Sequence, residues 1–365
     1  GSRGLGDVYK RQALERAKEQ GIGHYFVPRY TRVVDTAESK DNINKAYNLI
    51  STSKVRNEMI VDDVITCITR KQTPVILTRF KEHAKFLYDA LKGKADHVFL
   101  LYGDNSDKEN TEIRGRLKQV PGSESLVLVA TGQKIGEGFD FPRLDVLMLA
   151  APVSFEGRLE QYVGRLNRDY VGKEAVYVYD YIDSHVRYFD KMYAKRLRTY
   201  RKTGFSIWTQ ELQPKQIINA IFDSVNYTEK FEQDIVESEK MVVISSPDIR
   251  QDKIDRFLLL ITKRQEVGVK VTVITTDPED ITYGKSDVCY ELIRAMQLVG
   301  INVITRTEVE ECFAIIDDEI VWHGGMNLLG KADVWDNLMR IRNSQVATEL
   351  LEIALGCSEE RRKSE

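Results

Sequence analysis

From Pro74 onward the chain alternates short apolar runs with amphipathic stretches, and few folds accommodate that alternation. The apolar runs lie at 75–78, 98–102, 126–130, 145–149 and 175–179, with helical spacing of apolar residues between them at about 80–93, 107–119 and 154–168. Their residues are apolar at successive rather than alternate positions. Such strands are buried on both faces, so the intervening helices must cover a parallel sheet. The pattern predicts an α/β domain of nucleotide-binding type. Upstream, a polar stretch through Lys40 precedes spacing for two helices at about 41–52 and 56–71. Residues 1–12 have no periodicity, and their Gly-Ser start has the look of a cloning or sequencing scar, so they are set apart from the fold.

At 365 residues the chain is long enough for two domains. An acidic stretch from Pro214 to Lys240 reads as a helical connector into a second α/β unit. That unit has strands at 241–245, 269–274, 302–305, 313–316 and 320–322, and helices at about 286–298 and 345–356. The expected organisation is a first lobe over 13–210, a connector over 211–239, a second domain over 240–357 and a frayed tail over 358–365.

Charge separates these parts. The whole chain has a formal charge of −3, which argues against a histone-like basic protein. Residues 211–365 hold 18 Lys and Arg against 29 Asp and Glu, net −11, which leaves 35 against 27, net +8, in residues 1–210. The first part therefore suits a polyanionic partner and the second does not. No run approaches the roughly 18 apolar residues of a membrane helix. Cys67, Cys289, Cys312 and Cys357 are far apart, with no His at ligand spacing; they read as reduced, cytosolic thiols, and no metal site is expected.

The segment with the most chemical content is Gln161-Tyr162-Val163-Gly164-Arg165-Leu166-Asn167-Arg168. On the helix expected over about 154–168, Arg165 and Arg168 project from the same face and Gly164 permits close backbone approach. A guanidinium pair suits a γ-phosphoryl group, whose charge is spread over several oxygens.

This QxxGRxxR segment resembles motif VI of superfamily-two helicases. The run Ala130-Thr131-Gly132-Gln133-Lys134-Ile135-Gly136-Glu137-Gly138-Phe139-Asp140 resembles motif V, and Val75-Ile76-Leu77-Thr78-Arg79-Phe80 resembles motif IV. Tyr102-Gly103 stands where such lobes often carry a short nucleic-acid loop. The three motifs occur in the family's order across residues 70–185 and are similar to those of bacterial helicases related to restriction-enzyme Res subunits. The resemblance implies a second RecA-like lobe that works with an N-terminal RecA-like lobe, DNA or RNA, ATP and Mg²⁺. It also implies that Arg165, Arg168 and Gln161 serve catalysis, with Arg168 as arginine finger. Gly138, Asp140 and Glu137 would lie by the nucleotide, and Thr78, Arg79, Gly103 and Thr131 by the nucleic-acid backbone.

The phosphate loop of such motors is missing from these 365 residues. The one Gly-Lys-Ser, at 284–286, has Glu279 where GxxxxGK[ST] needs its first glycine. Asp317-Asp318-Glu319 imitates a Walker B cluster but lies in the other unit. The chain is accordingly expected to be the C-terminal part of a longer helicase and not to turn over ATP alone.

The second unit resembles phospholipase-D-like nucleases in degenerate form. Aligning Gly324-Gly325-Met326-Asn327 with that family's Gly-Ser-x-Asn puts Asp317 in its Asp slot, Glu310 in its His slot and Cys312 in its Lys slot. A carboxylate in place of imidazole repels phosphate, and no cation offsets it. The expectation is a non-catalytic scaffold, with a nuclease or a partner-binding module as the alternatives. His323 and the three tryptophans, Trp208, Trp322 and Trp335, read as structural residues or interface anchors. The basic run at 191–202 leaves two readings open: a solvated helix face, or a phosphate-contacting stripe whose tyrosines stack on bases.

Overall fold

The computed structural model describes residues 21–136, 139–153, 156–208, 220–281, 285–307 and 309–356. Residues 1–12, Glu137, Gly138, the start of the connector with Pro214, Gly284, Cys357 and the tail, all named above, lie outside the described residues. The chain divides into two compact units, Gly1–Trp208 and Thr209–Glu365.

In the first unit β1 (Gly23–Tyr30) leads into α1 (Ile43–Thr52) and α2 (Lys54–Thr69). There follow β2 (Pro74–Thr78), α3 (Lys81–Leu91), β3 (His97–Leu101), α4 (Asp107–Gln119), β4 (Leu126–Thr131) and the short α5 (Gly132–Gly136). Next come β5 (Val146–Leu149), α6 (Glu156–Leu166), β6 (Ala175–Ile182), α7 (Arg187–Lys202) and β7 (Ser206–Ile207). All seven strands are parallel, in the order β3-β4-β2-β5-β6-β1-β7. Ile76, Val127, Val129, Val146 and Met148 pack on one face against Ile60, Val64, Ala84 and Leu87 of α2 and α3. On the other face Phe26 stacks on Tyr200 of α7, with ring centroids 4.5 Å apart. The α/β class read from the sequence is the class of the structure, a parallel sheet covered by helices.

Among the departures from the sequence reading, three are instructive. The stretch before Lys40 contains β1, which pairs along its whole length with β6. Its polar His24 and Arg29 and its Pro28 conceal it. The carbonyl of Phe26 accepts from Trp208 N on the β7 side, and strand geometry turns the Pro28 nitrogen the same way. The β7 ladder has ended by then, so the missing N–H costs no bond.

The second departure is the connector. Its described part opens with β8 (Ala220–Asp223), an edge strand, and continues as α8 (Tyr227–Val236). Tyr227, Phe231 and Ile235 of α8 belong to the second core, so this helix is part of that unit and not a linker.

The second unit continues as β9 (Met241–Ser245), α9 (Gln251–Glu266), β10 (Lys270–Thr276), α10 (Ser286–Leu298) and β11 (Asn302–Arg306). It closes with β12 (Cys312–Ile316), β13 (Ile320–Gly324), β14 (Asn337–Arg342) and α11 (Ser344–Leu351). The sheet order is β11-β10-β9-β12-β13-β14-β8, parallel through the first three strands and antiparallel thereafter. The third departure is β14, which goes unnoticed in the sequence because Arg340 interrupts its apolar run. Arg340 is buried, and its Nε and Nη2 donate to Asp234 at 2.7 and 2.9 Å, while Trp322 Nε1 donates to the same carboxylate at 2.8 Å.

Candidate functional site at the carboxyl edge of the first sheet

Parallel strands bring their carboxyl ends to one edge, which is where open α/β sheets hold their ligands. β2 ends there at Thr78, between β4, which ends at Thr131, and β5, which leads into Ala150 and Ala151. The helix following β2, α3, packs on one face. α6, which follows β5, packs with α7 on the other. The connections that follow the neighbouring strands β2 and β5 thus leave on opposite faces, the arrangement at which open α/β sheets hold ligands.

Thr78 and Thr131 are register partners, so two of the expected nucleic-acid residues are side by side. Both are buried, and the Thr78 hydroxyl lies 3.4 Å from the Phe80 carbonyl, so neither side chain is presented to solvent. Arg79 is exposed, with its guanidinium carbon 4.2 Å from the centroid of the Tyr47 ring on α1. The Tyr47 hydroxyl donates to Pro152 O at 2.9 Å, and burial pushes its phenol up despite the nearby Arg79, Arg196 and Arg158. Of these, Arg79 and Arg158 are exposed and bring positive charge to the edge, whereas Arg196 is buried against Asp180. Gly103 is exposed one residue beyond Tyr102, beside α3; a methyl group on it would meet Lys81 Cε at 3.3 Å.

The two other motif segments meet through one contact. The Tyr162 hydroxyl on α6 reaches the Gly132 carbonyl at 3.3 Å, and a Cβ at position 132 would stand 2.6 Å from that hydroxyl. Gly132 is therefore needed for close packing of α6 against the end of β4. Gly132→Ala is expected to cost about 1–3 kcal/mol, most of it recovered when Tyr162→Phe removes the hydroxyl. Urea denaturation of the two single variants and the double variant gives the coupling.

The arginine pair is not as the sequence suggests. α6 ends at Leu166, so Arg165 lies in its last turn while Arg168 is beyond the helix. Asn167 ends the helical bonding, its N–H reaching Val163 O at 3.0 Å and its side chain 2.7 Å from His24 Nε2. Arg168 Nε lies 3.6 Å from Asp140 Oδ1, both side chains being more than half exposed. An exposed pair of this kind is worth at most about 1 kcal/mol and yields readily to a stronger anion. Gln161 is exposed on α6, and a methyl group on Gly164 would meet open space. Lys173 fixes the helix end from below, its Nζ donating to Pro142 O at 2.9 Å, to Leu144 O at 2.7 Å and to Leu166 O. Burial lowers its pKa to about 8 against the pull of Asp145.

Beneath the edge is a buried network that sequence reasoning missed. Arg56 of α2 donates through Nε and Nη2 to both Asp183 oxygens, at 2.9 and 3.0 Å, and through Nη1 to Ala150 O at 2.7 Å. Thr31, following β1, donates to Asp183 at 2.5 Å. One cation thereby holds the ends of β1, β5 and β6 in register. Beside it His83 is kept neutral, its pKa lowered to about 3 by burial and by Arg56.

In the second unit the aligned slots do not converge. Cys312 Sγ lies 3.9 Å from Asn327 Oδ1, which also accepts from Asp248 N at 3.0 Å. Asp317 is at the far end of β12, roughly 16 Å along the strand from Cys312. Asp317 and Asp318, both at φ 56°, are the left-handed first two of the three residues that connect β12 to β13. The Asp317 carboxylate accepts the backbone N–H groups of Glu239, Lys240 and Met241 at 2.7–3.1 Å, so it anchors the start of β9. Glu310 precedes β12, partly exposed. A Cβ on Gly324 would lie 2.2 Å from Asn337 O, so close strand packing accounts for that glycine. His323 and Trp322 are fully buried, whereas Trp335 is 71% exposed.

No family model matches the chain. It is 27% identical over 172 residues to "Transcript termination protein A18" of Yaba-like disease virus, covering 44% of this chain and 35% of that one. It is 30% identical over 162 residues to "Putative helicase 161L" of invertebrate iridescent virus 6, covering 42% and 35%. The chain thus spans about a third of the length of these curated relatives, which are viral and not the bacterial proteins suggested by the motifs. Among solved structures, that of T4 UvsW aligns with a TM-score of 0.41 at 19% identity, over 51% of this chain and 41% of that one.

Proposed function

We propose that the first unit is the second RecA-like lobe of a nucleic-acid-dependent ATPase of the helicase type. The observation that carries this reading is the meeting of three motif segments at one strand edge, with Arg79 exposed beside the Thr78–Thr131 pair and Tyr162 locking the arginine helix onto Gly132. The relative named as a helicase supports it. Arg165 and Arg168 are chemically suited to the terminal phosphates of ATP, which supplies the transferable phosphoryl group, and the weak exposed pair of Arg168 with Asp140 leaves its guanidinium available to phosphate. Among the described residues no group of three or more His, Cys, Asp or Glu could hold a metal ion. Mg²⁺ would then be held mainly by the partner lobe, and this chain alone is proposed not to turn over ATP. The second unit, a degenerate phospholipase-D-like module in this reading, serves as a scaffold or partner-binding surface. A nuclease is disfavoured because Asp317 is occupied with backbone amides and is remote from Cys312 and Asn327.

Binding to a labelled single-stranded oligonucleotide over a series of salt concentrations tests the reading. Arg79→Ala should weaken binding uniformly across sequences and reduce the slope of log K against log salt by about 0.7. An unchanged slope would remove Arg79 from the interface.

A further inference from the structure

The basic run at 191–202 forms the last twelve of the sixteen residues of α7, and the structure decides half of the question it raised. Its tyrosines, Tyr193 and Tyr200, are fully buried and cannot stack on bases. Arg196 is buried with them, donating to both Asp180 oxygens at 2.8 Å, and Tyr200 donates to the same carboxylate at 2.7 Å. Three polar side chains thereby hold the inner face of the helix rigidly against β6.

The outer face carries the other cations. At 3.6 residues per turn, Arg187, Lys191, Lys195, Arg198 and Lys202 fall within an arc of roughly 80°. The helix's acid, Asp190, lies off that arc. Lys191, Lys195 and Lys202 are exposed and Arg198 is partly so. These four form no ion pair with an acidic side chain among the described residues. Some exposed helical cations elsewhere in the chain are paired, as in Lys85–Asp89 at 2.8 Å and Arg256–Glu232 at 2.8 Å.

Like charges three and four residues apart oppose helix formation by about 0.2–0.5 kcal/mol per pair. α7 tolerates several such pairs because its buried face is fixed by the Arg196–Asp180–Tyr200 network. The five cations are spaced roughly 5–6 Å apart along about 22 Å of axis, a row that matches a chain of regularly spaced anions better than a single phosphate. With no aromatic platform and no acceptor on the arc, it offers no base readout.

We infer that the outer face of α7 is a sequence-independent binding site for a nucleic-acid phosphate backbone, separate from the Thr78, Arg79 and Thr131 strand ends. This rests on the reading of the first unit as a nucleic-acid-binding lobe and extends the contact along a helix outside its three motifs.

Titration of the whole chain with a fluorescein-labelled 20-nucleotide oligothymidylate, followed by anisotropy at several salt concentrations, tests it. Combined Lys191→Gln, Lys195→Gln, Arg198→Gln and Lys202→Gln should lower the log–log salt slope by about two to three and weaken binding at 0.1 M salt by roughly 100-fold. Lys→Arg replacements at 191, 195 and 202 should keep both values near the parent's. Circular dichroism melting checks that the Gln variant is folded, as it should be with the inner face untouched. If the folded Gln variant keeps the parent slope while Arg79→Ala lowers it, the stripe assignment fails and the lobe reading stands. If the parent chain does not bind the oligonucleotide, both fail. If the Gln variant loses affinity for polyglutamate but not for oligothymidylate, the face is an acidic-protein site and the inference is overturned.

Discussion

Arg56→Ala should destabilise the first unit by about 3–5 kcal/mol, the usual cost of stranding one partner of a buried ion pair. Both side chains are fully buried, and with Arg56 gone Asp183 retains only Thr31 as a partner among its described hydrogen bonds. For a unit of about 200 residues that corresponds to a fall in Tm of roughly 6–20 °C. Replacing both partners by apolar residues of similar volume, Arg56→Met with Asp183→Leu, should recover much of the loss, because no buried charge is left uncompensated. A double variant as unstable as Arg56→Ala would mean that the bonds to Ala150 and Thr31, and not the stranded charge, dominate. Guanidinium denaturation combined with amide exchange along β5 and β6 localises the effect.

His83 gives an independent readout. The unfolded chain takes up its proton near pH 6.5, while the folded chain does so only near 3. Folding is therefore increasingly opposed as pH falls through this window, by at most about 1.4 kcal/mol per pH unit, and unaffected by this group above it. Removing the Arg56 cation should move the His83 titration upward in an NMR experiment and flatten that contribution.

The strands of the first sheet were readable because burial on both faces writes itself into consecutive residues, as in Leu126–Thr131. It was the resemblance of two segments to helicase motifs, not the strand pattern, that grouped Thr78, Arg79 and Thr131 before any coordinates. What escaped was held by long-range polar pairing. Arg56 and Asp183 are 127 residues apart and Arg340 and Asp234 are 106 apart, and neither leaves a local period. Charges inside strands also broke the apolar pattern that would have revealed β1 and β14. Tyr193, Arg196 and Tyr200 could have been assigned to one buried face by helical spacing, which would have dismissed base stacking on α7. Sequence spacing misled most in the second unit, where an extended strand separates Cys312 from Asp317 and a turn fixes the latter.

Arg168→Ala should reduce nucleic-acid-stimulated ATP turnover by about 10³-fold or more, the magnitude associated with an arginine finger, in a polypeptide where a phosphate-loop lobe precedes this chain. Arg168 lies outside α6, and its exposed pair with Asp140 leaves its position set mainly by the Asn167–His24 contact and the helix end at Leu166. A guanidinium on such a segment can be drawn to a γ-phosphate without unwinding a helix, whereas Arg165 in the last turn is fixed by the helix itself. Arg168→Lys should rescue little, since an ammonium cannot reproduce the bidentate fork. Asp140→Asn should be mild, because the exposed pair it breaks is weak. Oligonucleotide affinity in the absence of nucleotide should be unchanged in Arg168→Ala, which separates loss of the chemical step from loss of the track. If turnover falls less than tenfold while affinity is retained, the finger role passes to Arg165, and the loop position of Arg168 marks it as a nucleotide-binding residue only.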